Sequence, residues 1–546
     1  MGDTPFDVIQ VGYGPVSQGL ALMLGRQGRR VAVCERWEQR YPLPRAVCID
    51  HELYRVLSAN GLGAVLPSIS HPGPPYQWFN ADWKELLVID WSAGSISGGT
   101  EVNFVHQPTL EAALDVAVLE QPTVEIFLGW EAIEVRQDDD LAHVTLRNVA
   151  TNDVRTISAR YVIGSDGANS LVRTTIGGGQ EDRGFEADWL VIDVLLKEGV
   201  TAEKLGIPAA GQYCNPIRPT TIVPAGVRDG RTFRRWEFMR LPGESIADLE
   251  GEDRVWELLQ DWAGPDDVEL VRHKVYNFRS LLADRWHDRR LILAGDAAHV
   301  MPPFMGQGMC SGLRDAWNLS WRLGLLLDGT ADNRLLDSYQ PERRPHVSQL
   351  IDMSIYLGKV ICIPDLEQAA ARDHAFLSGA AEPPPPFPQL IDGLLHRDSS
   401  LRLNAGAGLL SPHVAIESDG SKLRLDDYTG PGFVFIGRGF DWRRGLDKQL
   451  VSQLATIDAK FVRLEVATDD QAGSIRDCDG RLDAFLDAQG WDAMIVRPDF
   501  YVYGGGSAAN SGALVQSLIA DLKEHGVHLK GARDNAGECE NEVSAV

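Results

Sequence analysis

The 546-residue sequence lacks any long apolar run. No stretch reaches the eighteen or so continuous apolar residues that a membrane-spanning helix needs. The N-terminus enters the apolar segment FDVIQV at once, without the basic region and apolar core of a signal peptide. We therefore expect a cytoplasmic protein with no membrane partner.

Positive charge is also scarce, with 52 Lys and Arg residues against 77 Asp and Glu residues and a formal net charge of -25. Because nucleic acids are bound by clustered Lys and Arg, this balance argues against a nucleic-acid partner. The seven cysteines are scattered and form no C-x-x-C pair. They are predicted to be reduced thiols, and no metal site is predicted.

The apolar patterns divide the chain into several segments. The first 35 residues read as strand, glycine turn, helix and strand, which is half of a dinucleotide-binding unit. Alternating runs over 124–167 and strand-rich runs over 189–278 predict two further sheets. Helical patterns follow residue 308 until the proline-rich stretch AAEPPPPFPQL, beyond which strands and helices alternate. Two or three domains are predicted.

The turn GYGPVS after the first strand has the features of a phosphate-binding loop. Gly12 and Gly14 allow a tight turn with bare N–H groups next to a helix N-terminus. Glu35 ends the next strand, where an acid binds a ribose hydroxyl. Ser17 replaces the third glycine of the fingerprint, which normally permits close helix packing. No other glycine-rich stretch joins a strand and acid in this way, so one tightly bound dinucleotide is predicted.

A second segment rich in glycine, AGDAAHVMPPFMGQGMCSG, follows the apolar run Leu291–Leu293. Asp296 could accept hydrogen bonds from a chain of hydroxyls, and Pro302 and Pro303 stiffen the segment. Its glycines then leave N–H groups bare at a helix N-terminus, which would stabilise an electron-rich ring carrying a developing negative charge. The alternative is a proline-punctuated loop that caps a core helix.

Three motifs in this order resemble the signatures of the single-component FAD-dependent aromatic hydroxylases: GYGPVS, IGSDGANSLVR and LAGDAAHVMPPFMGQGMCSGLRDAWNL. They span the first two-thirds of the chain. Four further motifs resemble the 3-(3-hydroxyphenyl)propionate hydroxylase branch of these class A flavoprotein monooxygenases: YPLPRAVCIDHELYRVL, YCNPIRP, FRRWEFMRLPGE and YQPERRPH.

The resemblance implies an α/β fold with three domains. A glutathione-reductase-type FAD-binding domain would be built from residues 1–180 and 280–360, with a β-sheet substrate domain, 181–279, interleaved between them. A linker, 361–404, would lead to a thioredoxin-like C-terminal domain, 405–546, without redox cysteines.

Carried over position by position, the resemblance assigns Glu35 to the adenosine ribose, Arg45 to the flavin and its phosphates, and Gln107 to the ribityl and pyrophosphate region. Taken alone, Arg45 could form a surface ion pair and Gln107 could simply begin a helix. The residues predicted to bind the cofactor are Gly12, Gly14, Pro15, Val16, Glu35, Arg36, Arg45, Gln107, Asp166, Gly167, Asp296, Pro303, Gly306, Gly308 and Met309.

Four residues from the branch-specific motifs are predicted to orient or deprotonate the substrate: His51, Tyr213, Arg218 and Arg235. His51 could equally be a solvated residue at a helix start. Arg235 follows Arg234 on a strand, so at most one of them enters a given pocket. Some relatives have an acid or imidazole just after the Arg-Ala pair, whereas this chain has Val47, so a base cannot be carried over to that position.

The function implied is the hydroxylation of a phenolic compound with O2, in aromatic catabolism, by an enzyme with resident FAD and transient NADH or NADPH. A base must activate the phenol, and water must be excluded. Removal of a nitro group from a nitrophenol or nitrocatechol stays open, as does a non-oxygenating flavoprotein or flavin-binding sensor. The W-x-W-x-I-P signature of flavin-dependent halogenases is absent. The resemblance also implies a homodimer.

Overall fold

The computed structural model describes residues 4–40, 42–465 and 473–529 of the chain, which folds into two compact units. The first unit holds the residues up to Ser95, Gly99–Ala316 and Val347–Phe387. The second holds Ile96–Gly98, Trp317–His346 and the chain from Pro388 onward. The division after Phe387 lies inside the proline-rich stretch. The domain boundaries given above stay a prediction.

The strands of the first unit are β1 (Phe6–Val11), β2 (Val31–Glu35), β3 (Cys48–Asp50), β4 (Ser70–Pro72), β5 (Tyr76–Phe79), β6 (Glu85–Ile89), β7 (Val102–Val105), β8 (Val124–Leu128), β9 (Trp130–Gln137), β10 (Ala142–Asn148), β11 (Val154–Gly164), β12 (Gln180–Leu196), β13 (Gly211–Tyr213), β14 (Thr220–Arg228), β15 (Arg231–Met239), β16 (Val268–Ala283), β17 (His287–Asp288), β18 (Leu291–Leu293) and β19 (His299–Val300). Those of the second unit are β20 (Ala415–Ser418), β21 (Ser421–Arg424), β22 (Val434–Arg438), β23 (Lys460–Leu464), β24 (Arg476–Asp477), β25 (Ala493–Val496) and β26 (Val502–Gly506).

The α-helices are α1 (Pro15–Arg26), α2 (His51–Leu57), α3 (Leu66–Ile69), α4 (Gln107–Leu119), α5 (Leu171–Ile176), α6 (Ile246–Leu249), α7 (Glu252–Leu259), α8 (Gly308–Leu327), α9 (Arg334–Asp337), α10 (Tyr339–Ile361), α11 (Leu366–Leu377), α12 (Leu425–Thr429), α13 (Lys448–Ala455), α14 (Arg481–Gln489) and α15 (Ser511–Glu524). Among the described residues, no helix on its own is long and apolar enough to cross a membrane. Two helical stretches, Arg334–Ile361 and Leu366–Leu377, reach that threshold only when they are counted together across a 114° bend.

The predicted dinucleotide-binding part of the first unit contains a parallel sheet with the order β18, β11, β1, β2, β8. Its central strands are almost wholly buried, which explains why FDVIQV and VAVCE are nearly continuous apolar runs. The antiparallel strands β9 and β10 extend this sheet through β11. The carboxyl ends of β1, β11 and β18 therefore lie along one edge, where such folds bind ligands.

The second large sheet of this unit has the order β19, β16, β12, β15, β14, β13, β5, β6. One face packs on α7 through an apolar cluster that includes Leu190, Ile192, Trp236 and Val255. The sheet takes in β5 and β6 from the N-terminal part of the chain, because β5 pairs in parallel with β13. The sequence patterns do not predict that residues 76–89 join this sheet.

The second unit contains a four-stranded sheet with the order β23, β22, β25, β26, in which β25 runs antiparallel to both neighbours. This order and direction are those of a thioredoxin-like core. Its apolar cluster includes Ile436, Leu486 and Met494. Cys478 is an exposed free thiol, whereas Cys539 lies outside the described residues.

Candidate functional site

The turn between β1 and α1 has the geometry of an anion site. Gly12 has a φ of 97°, and a Cβ atom there would lie 2.5 Å from the carbonyl oxygen of Ser165, so only glycine fits. Gly14 caps α1 without a side-chain hydrogen bond, and Pro15 occupies its first turn. A Cβ atom at Gly14 would meet nothing within 4 Å. The first N–H groups of α1 lie at the positive end of the helix dipole, next to the open space at Gly14.

The two glycine-containing segments, which are far apart in the sequence, meet at Val16. A Cβ atom at Gly312 would lie 2.5 Å from a methyl group of Val16 and 3.0 Å from the Cα atom of Gly295. A Cβ atom at Gly295 would lie 3.1 Å from the same Val16 methyl group. The N-terminal turn of α1, the segment at Gly295 and the start of α8 therefore pack directly on one another. This is possible because Gly295 and Gly312 have no side chains.

Glu35 lies beside this turn at the end of β2. Its carboxylate accepts hydrogen bonds from the N–H groups of Tyr13, at 2.8 Å, and Trp37, at 3.0 Å. Arg36 stacks over the Trp37 ring at 5.2 Å. Arg36 and Trp37 also line a groove of about 670 Å³ with Glu38, Gln39, Arg40, Pro42, Glu131 and Val149.

The loop at residues 44–46 is held from two sides. The side-chain oxygen of Gln107 accepts hydrogen bonds from the N–H groups of Arg45, at 2.8 Å, and Ala46, at 2.5 Å. The guanidinium of Arg235 donates to the carbonyl oxygens of Arg45, at 2.6 Å, and Pro44, at 3.0 Å. Gln107 and Arg235 therefore fix the backbone that carries the Arg45 side chain.

Arg235 belongs to a buried polar cluster on the face of the second sheet that is opposite to α7. Asp193, which is fully buried, accepts from Arg235 at 2.7 and 3.1 Å and from Arg272 at 2.5 Å. Glu237 lies 3.8 Å from Arg235. Burial raises the pKa of the Glu237 carboxyl, and the charge of Arg235 opposes the rise. Arg234 turns away and donates to carbonyl oxygens at residues 208 and 209, as the strand alternation predicted.

Asp166 and Gly167 follow β11 at the same sheet edge. One oxygen of Asp166 accepts from the N–H group of Leu171 at 2.7 Å and caps α5. The other, Oδ1, is buried and has no hydrogen-bond partner in the described chain. Burial raises the pKa of this carboxyl. Gly167 has a φ of 78° and open space where a Cβ atom would be. The buried, unsatisfied oxygen fits a hydroxyl or amide donor of a bound nucleotide.

The segment after β18 contains the other predicted ligands. Asp296 lies in the short 3-10 turn Gly295–Ala297, and its side chain reaches solvent. Surrounding protein atoms raise the pKa of its carboxyl, whereas the charges of His299 and Arg45 lower it.

A second short turn, Pro303–Met305, leads to Gly306, which has a φ of 64°. A Cβ atom at Gly306 would lie 2.5 Å from the sulfur of Cys48. Gly308 and Met309 then begin α8. Only glycine allows the backbone at residue 306 to approach β3 so closely, and the N–H groups beyond it are left at a helix N-terminus.

Three of the predicted catalytic residues have structural partners elsewhere. His51 begins α2, and its Nε2 lies 3.3 Å from Glu101. Tyr213 stacks on Trp83 at 4.4 Å and donates its hydroxyl to the carbonyl oxygen of Ala81. Arg218 donates to both oxygens of Glu244, at 2.6 and 2.8 Å, and to the Met239 carbonyl oxygen. Together with Arg235, they stay a prediction as catalytic groups.

Asp193, Arg272 and Glu237 are not among the site residues predicted from the sequence. Two signals could have found them. Asp193 is a charged residue inside the apolar run WLVIDVLL, where an ionised group needs a buried partner. Glu237 is two positions from Arg235 on the same strand, so both side chains lie on one face.

Comparison with known families identifies two domains. A family model described as FAD binding domain matches residues 5–354, and one described as HcaD C-terminal domain matches residues 406–521. A probable NADH-specific resorcinol 4-hydroxylase of Rhodococcus jostii (strain RHA1) is 34% identical over 95% of this chain and 96% of its own. A 3-(3-hydroxy-phenyl)propionate/3-hydroxycinnamic acid hydroxylase of Comamonas testosteroni is 30% identical over 94% of this chain and 97% of its own.

Solved structures share the fold. The flavin-dependent monooxygenase PieE, in complex with FAD and substrate, has a TM-score of 0.78 at 19% identity and covers 96% of this chain and 100% of that chain. The p-nitrophenol 4-monooxygenase PnpA from Pseudomonas putida DLL-E4 has a TM-score of 0.62 at 23% identity and covers 70% of this chain and 95% of that chain. The predicted α/β fold class is confirmed.

Proposed function

This chain belongs to the FAD binding domain family of FAD-dependent aromatic hydroxylases, and we propose that it hydroxylates a phenol with a second substituent in the meta position. Resorcinol and 3-(3-hydroxyphenyl)propionate, named for two relatives, both have that pattern. The observation that carries the proposal is the contact of Val16 with Gly295 and Gly312, because it joins two backbone segments suited to opposite parts of one dinucleotide.

We place FAD along this joined surface. The N-terminus of α1 would bind the pyrophosphate, and Glu35 would bind the adenosine ribose. The orphaned oxygen of Asp166 and the carboxylate of Asp296 would accept hydrogen bonds from cofactor hydroxyls. The N–H groups from Gly306 to Met309 would face the ring edge that becomes negative on reduction. When bound and reduced by NADH or NADPH, FAD would supply O2 activation and transfer of one oxygen atom.

The polar face of the second sheet would bind the substrate. Arg235 reaches the loop at residues 44–46 from this face, which puts Glu237 on the same side as the proposed flavin site. We propose that Glu237 accepts the phenol proton, because a phenolate pushes electron density onto the ring carbons ortho and para to its oxygen. The surrounding sheet would keep bulk water from the reacting atoms.

The charge of this face favours a neutral substrate. Asp193 and Glu237 carry two carboxylates against the guanidinium groups of Arg235 and Arg272, so the charges balance two to two before any ligand binds. A phenolic acid would bring a second negative charge toward Asp193 and Glu237. Resorcinol is therefore the first substrate to test, with NADH as donor because the resorcinol-hydroxylating relative is named as NADH-specific.

The direct test is a substrate panel on the purified protein. We expect a flavin spectrum, and NADH oxidation coupled to incorporation of one atom of ¹⁸O from ¹⁸O2 into resorcinol, measured by mass spectrometry. Coupled hydroxylation of 3-(3-hydroxyphenyl)propionate instead would contradict the preference for a neutral ring. Nitrite release from a nitrophenol would favour nitro-group removal, in place of hydroxylation, as the reaction of this enzyme. Donor oxidation that yields only hydrogen peroxide with every phenol would contradict the proposal.

Gly14→Ala tests where the pyrophosphate lies. The φ at Gly14 is -77°, which alanine adopts readily, and its Cβ atom would enter open space. We expect the Kd for FAD to rise at least about tenfold, whereas the melting temperature of the apoprotein stays within about 4 °C of wild type. Gly94→Ala, at another glycine with open space and without a positive φ, is the control for backbone effects. FAD titration by flavin fluorescence and thermal melts provide the two readouts. An unchanged Kd for FAD would contradict the placement of the pyrophosphate at the N-terminus of α1.

Glu237→Gln tests the proton acceptor. We expect kcat for resorcinol to fall by about a hundredfold or more, since general base catalysis contributes roughly 10²–10⁴. Because only the ionised carboxylate accepts a proton, wild-type kcat should fall as the pH drops through the raised pKa of Glu237, and this limb should vanish in the variant. The Kd for FAD should not change. A variant that keeps wild-type kcat and pH profile would show that another group takes the proton.

A further inference from the structure

Helix α8 carries two adjacent charged residues, Arg314 and Asp315, that are almost completely buried, with 3% and 0% of their surface exposed. We propose that they are positioning residues that fix the two ends of the segment from Gly295 to Gln307, against which the flavin lies in the proposed function. The inference rests on that placement of the flavin. Neither residue belongs to the predicted cofactor ligands.

Asp315 holds the first end of this segment. One of its oxygens, Oδ2, accepts hydrogen bonds both from the N–H group of Gly295, at 3.0 Å, and from Nε2 of His299, at 2.6 Å. Gly295 directly precedes Asp296, and His299 is fully buried three residues beyond it. Asp315 therefore fixes the backbone on both sides of the carboxylate that we assign to a cofactor hydroxyl.

Arg314 holds the other end. Its Nη1 donates to the side-chain oxygen of Gln307 at 2.9 Å, and Gln307 lies between the two glycines of the proposed ring-edge backbone. Its Nε donates to Glu52 at 2.5 Å, and its Nη2 donates to Asp50. Asp50 ends β3 and caps α2, and Glu52 lies in the first turn of α2. The planar guanidinium thus ties Gln307 to β3 and α2 at once, which a lysine ammonium cannot do in the same three directions.

These contacts predict a specific effect on the reaction. The N–H groups near residue 306 stabilise a negative ring only if they stay in place, and a small displacement at a reacting centre costs much of the rate. A loosened segment should therefore bind FAD more weakly and orient it less well toward the substrate. A larger share of the NADH consumed would then yield hydrogen peroxide instead of hydroxylated product.

The experiment compares four variants of the full chain loaded with FAD. Arg314→Lys keeps the charge opposite Asp50 and Glu52 but loses the fork, and Gln307→Leu removes only the loop partner. Asp315→Asn keeps the shape of the side chain that contacts Gly295 and His299 at the other end of the segment. Arg322→Lys is the matched control, because Arg322 is a buried, ion-paired arginine on the same helix. The readouts are the Kd for FAD and, at saturating FAD, the ratio of hydrogen peroxide to hydroxylated phenol per NADH consumed.

We expect Arg314→Lys and Gln307→Leu to raise the Kd for FAD at least about tenfold, the equivalent of one lost hydrogen bond to a charged group. Both, and Asp315→Asn to a smaller extent, should raise the peroxide ratio even when FAD is saturating. Arg322→Lys should lower the melting temperature without changing that ratio. If Arg314→Lys does not fold, the result for Gln307→Leu alone decides whether the inference for Arg314 holds.

Two results would overturn the inference. In one, Gln307→Leu binds FAD and couples NADH to product as the wild type does; in the other, Arg322→Lys uncouples as strongly as Arg314→Lys. A wild-type chain that binds no FAD would overturn the proposed function first, and this inference with it. That result is read on the wild type alone and so is distinguished from a failure of the variants.

Discussion

Replacing Arg235 by lysine is expected to lower coupled hydroxylation by about a hundredfold, the cost of a small misplacement of reacting groups. The guanidinium donates at once to Asp193 and to the carbonyl oxygens of Pro44 and Arg45. A lysine keeps the charge that Asp193 needs but has no planar fork to hold the loop. The loop also carries Arg45, which is predicted to contact the flavin, so its loosening should affect turnover more than stability.

The neighbouring residue provides the control. Arg234 is also buried, but it faces the other side of the sheet and donates to two carbonyl oxygens at residues 208 and 209. Arg234→Lys should keep at least half of wild-type kcat, whereas Arg235→Lys should not. Steady-state NADH oxidation, with the hydroxylated product quantified, separates the two variants. Equal losses in both would mean that the sheet is simply sensitive to any buried change.

Replacing Glu342 by glutamine is expected to destabilise the second unit by about 3 kcal/mol, because it leaves buried arginines without a full counter-charge. Glu342 lies 2.7 Å from both Arg322 and Arg497, and all three are fully buried. Asp499 would be left as the remaining anion beside Arg497. Hydrogen exchange of amides in β22 and β25, measured by mass spectrometry, should report the loss within that unit.

The same group predicts how this unit responds to acid. Although burial works in the opposite direction, Arg322 and Arg497 hold the pKa of Glu342 well below its usual range. The stabilisation is therefore complete above the unfolded pKa of about 4.3 and is lost as the pH falls below it. Glu342→Gln should remove this part of the acid sensitivity.

An exposed ion pair provides the comparison for this prediction. Lys460 and Asp458 are 2.6 Å apart but remain 38% and 62% exposed. Lys460→Gln should change the stability by less than about 1 kcal/mol, because water and salt screen such pairs. A Glu342→Gln protein with wild-type exchange rates would contradict the prediction.

Short-range signals were sufficient for the geometry of the turn after β1, whose role in cofactor binding stays a prediction. Gly12, Gly14 and Glu35 are placed by one strand, one turn and the next strand, so their sequence order already implies their geometry. Gly306 likewise has a positive φ, which favours glycine, and Pro303 begins a short 3-10 turn. Family, enzyme class and cofactor, all inferred from these motifs, are confirmed.

Long-range pairing could not be predicted from the sequence. Tyr213 and Arg218 lie in a motif typical of the branch, yet their partners, Trp83 and Glu244, come from other strands and turns. Gln107 was assigned to the cofactor, but its amide is bonded to the loop at residues 44–46. Such contacts depend on which strands become neighbours, and a local pattern does not specify the neighbour.

The recruitment of β5 and β6 into the second sheet matters for anyone who wishes to exchange substrate specificity between relatives. A chimera that transplants only residues 181–279 would leave β13 to pair with a β5 that came from the recipient. Side chains from two different proteins would then meet where β5 pairs with β13. The hydrogen bond from Gln212 to Tyr76 is one of the contacts that would be affected. A graft that also carries residues 76–89 keeps donor strands together, and such a hybrid is the one expected to fold.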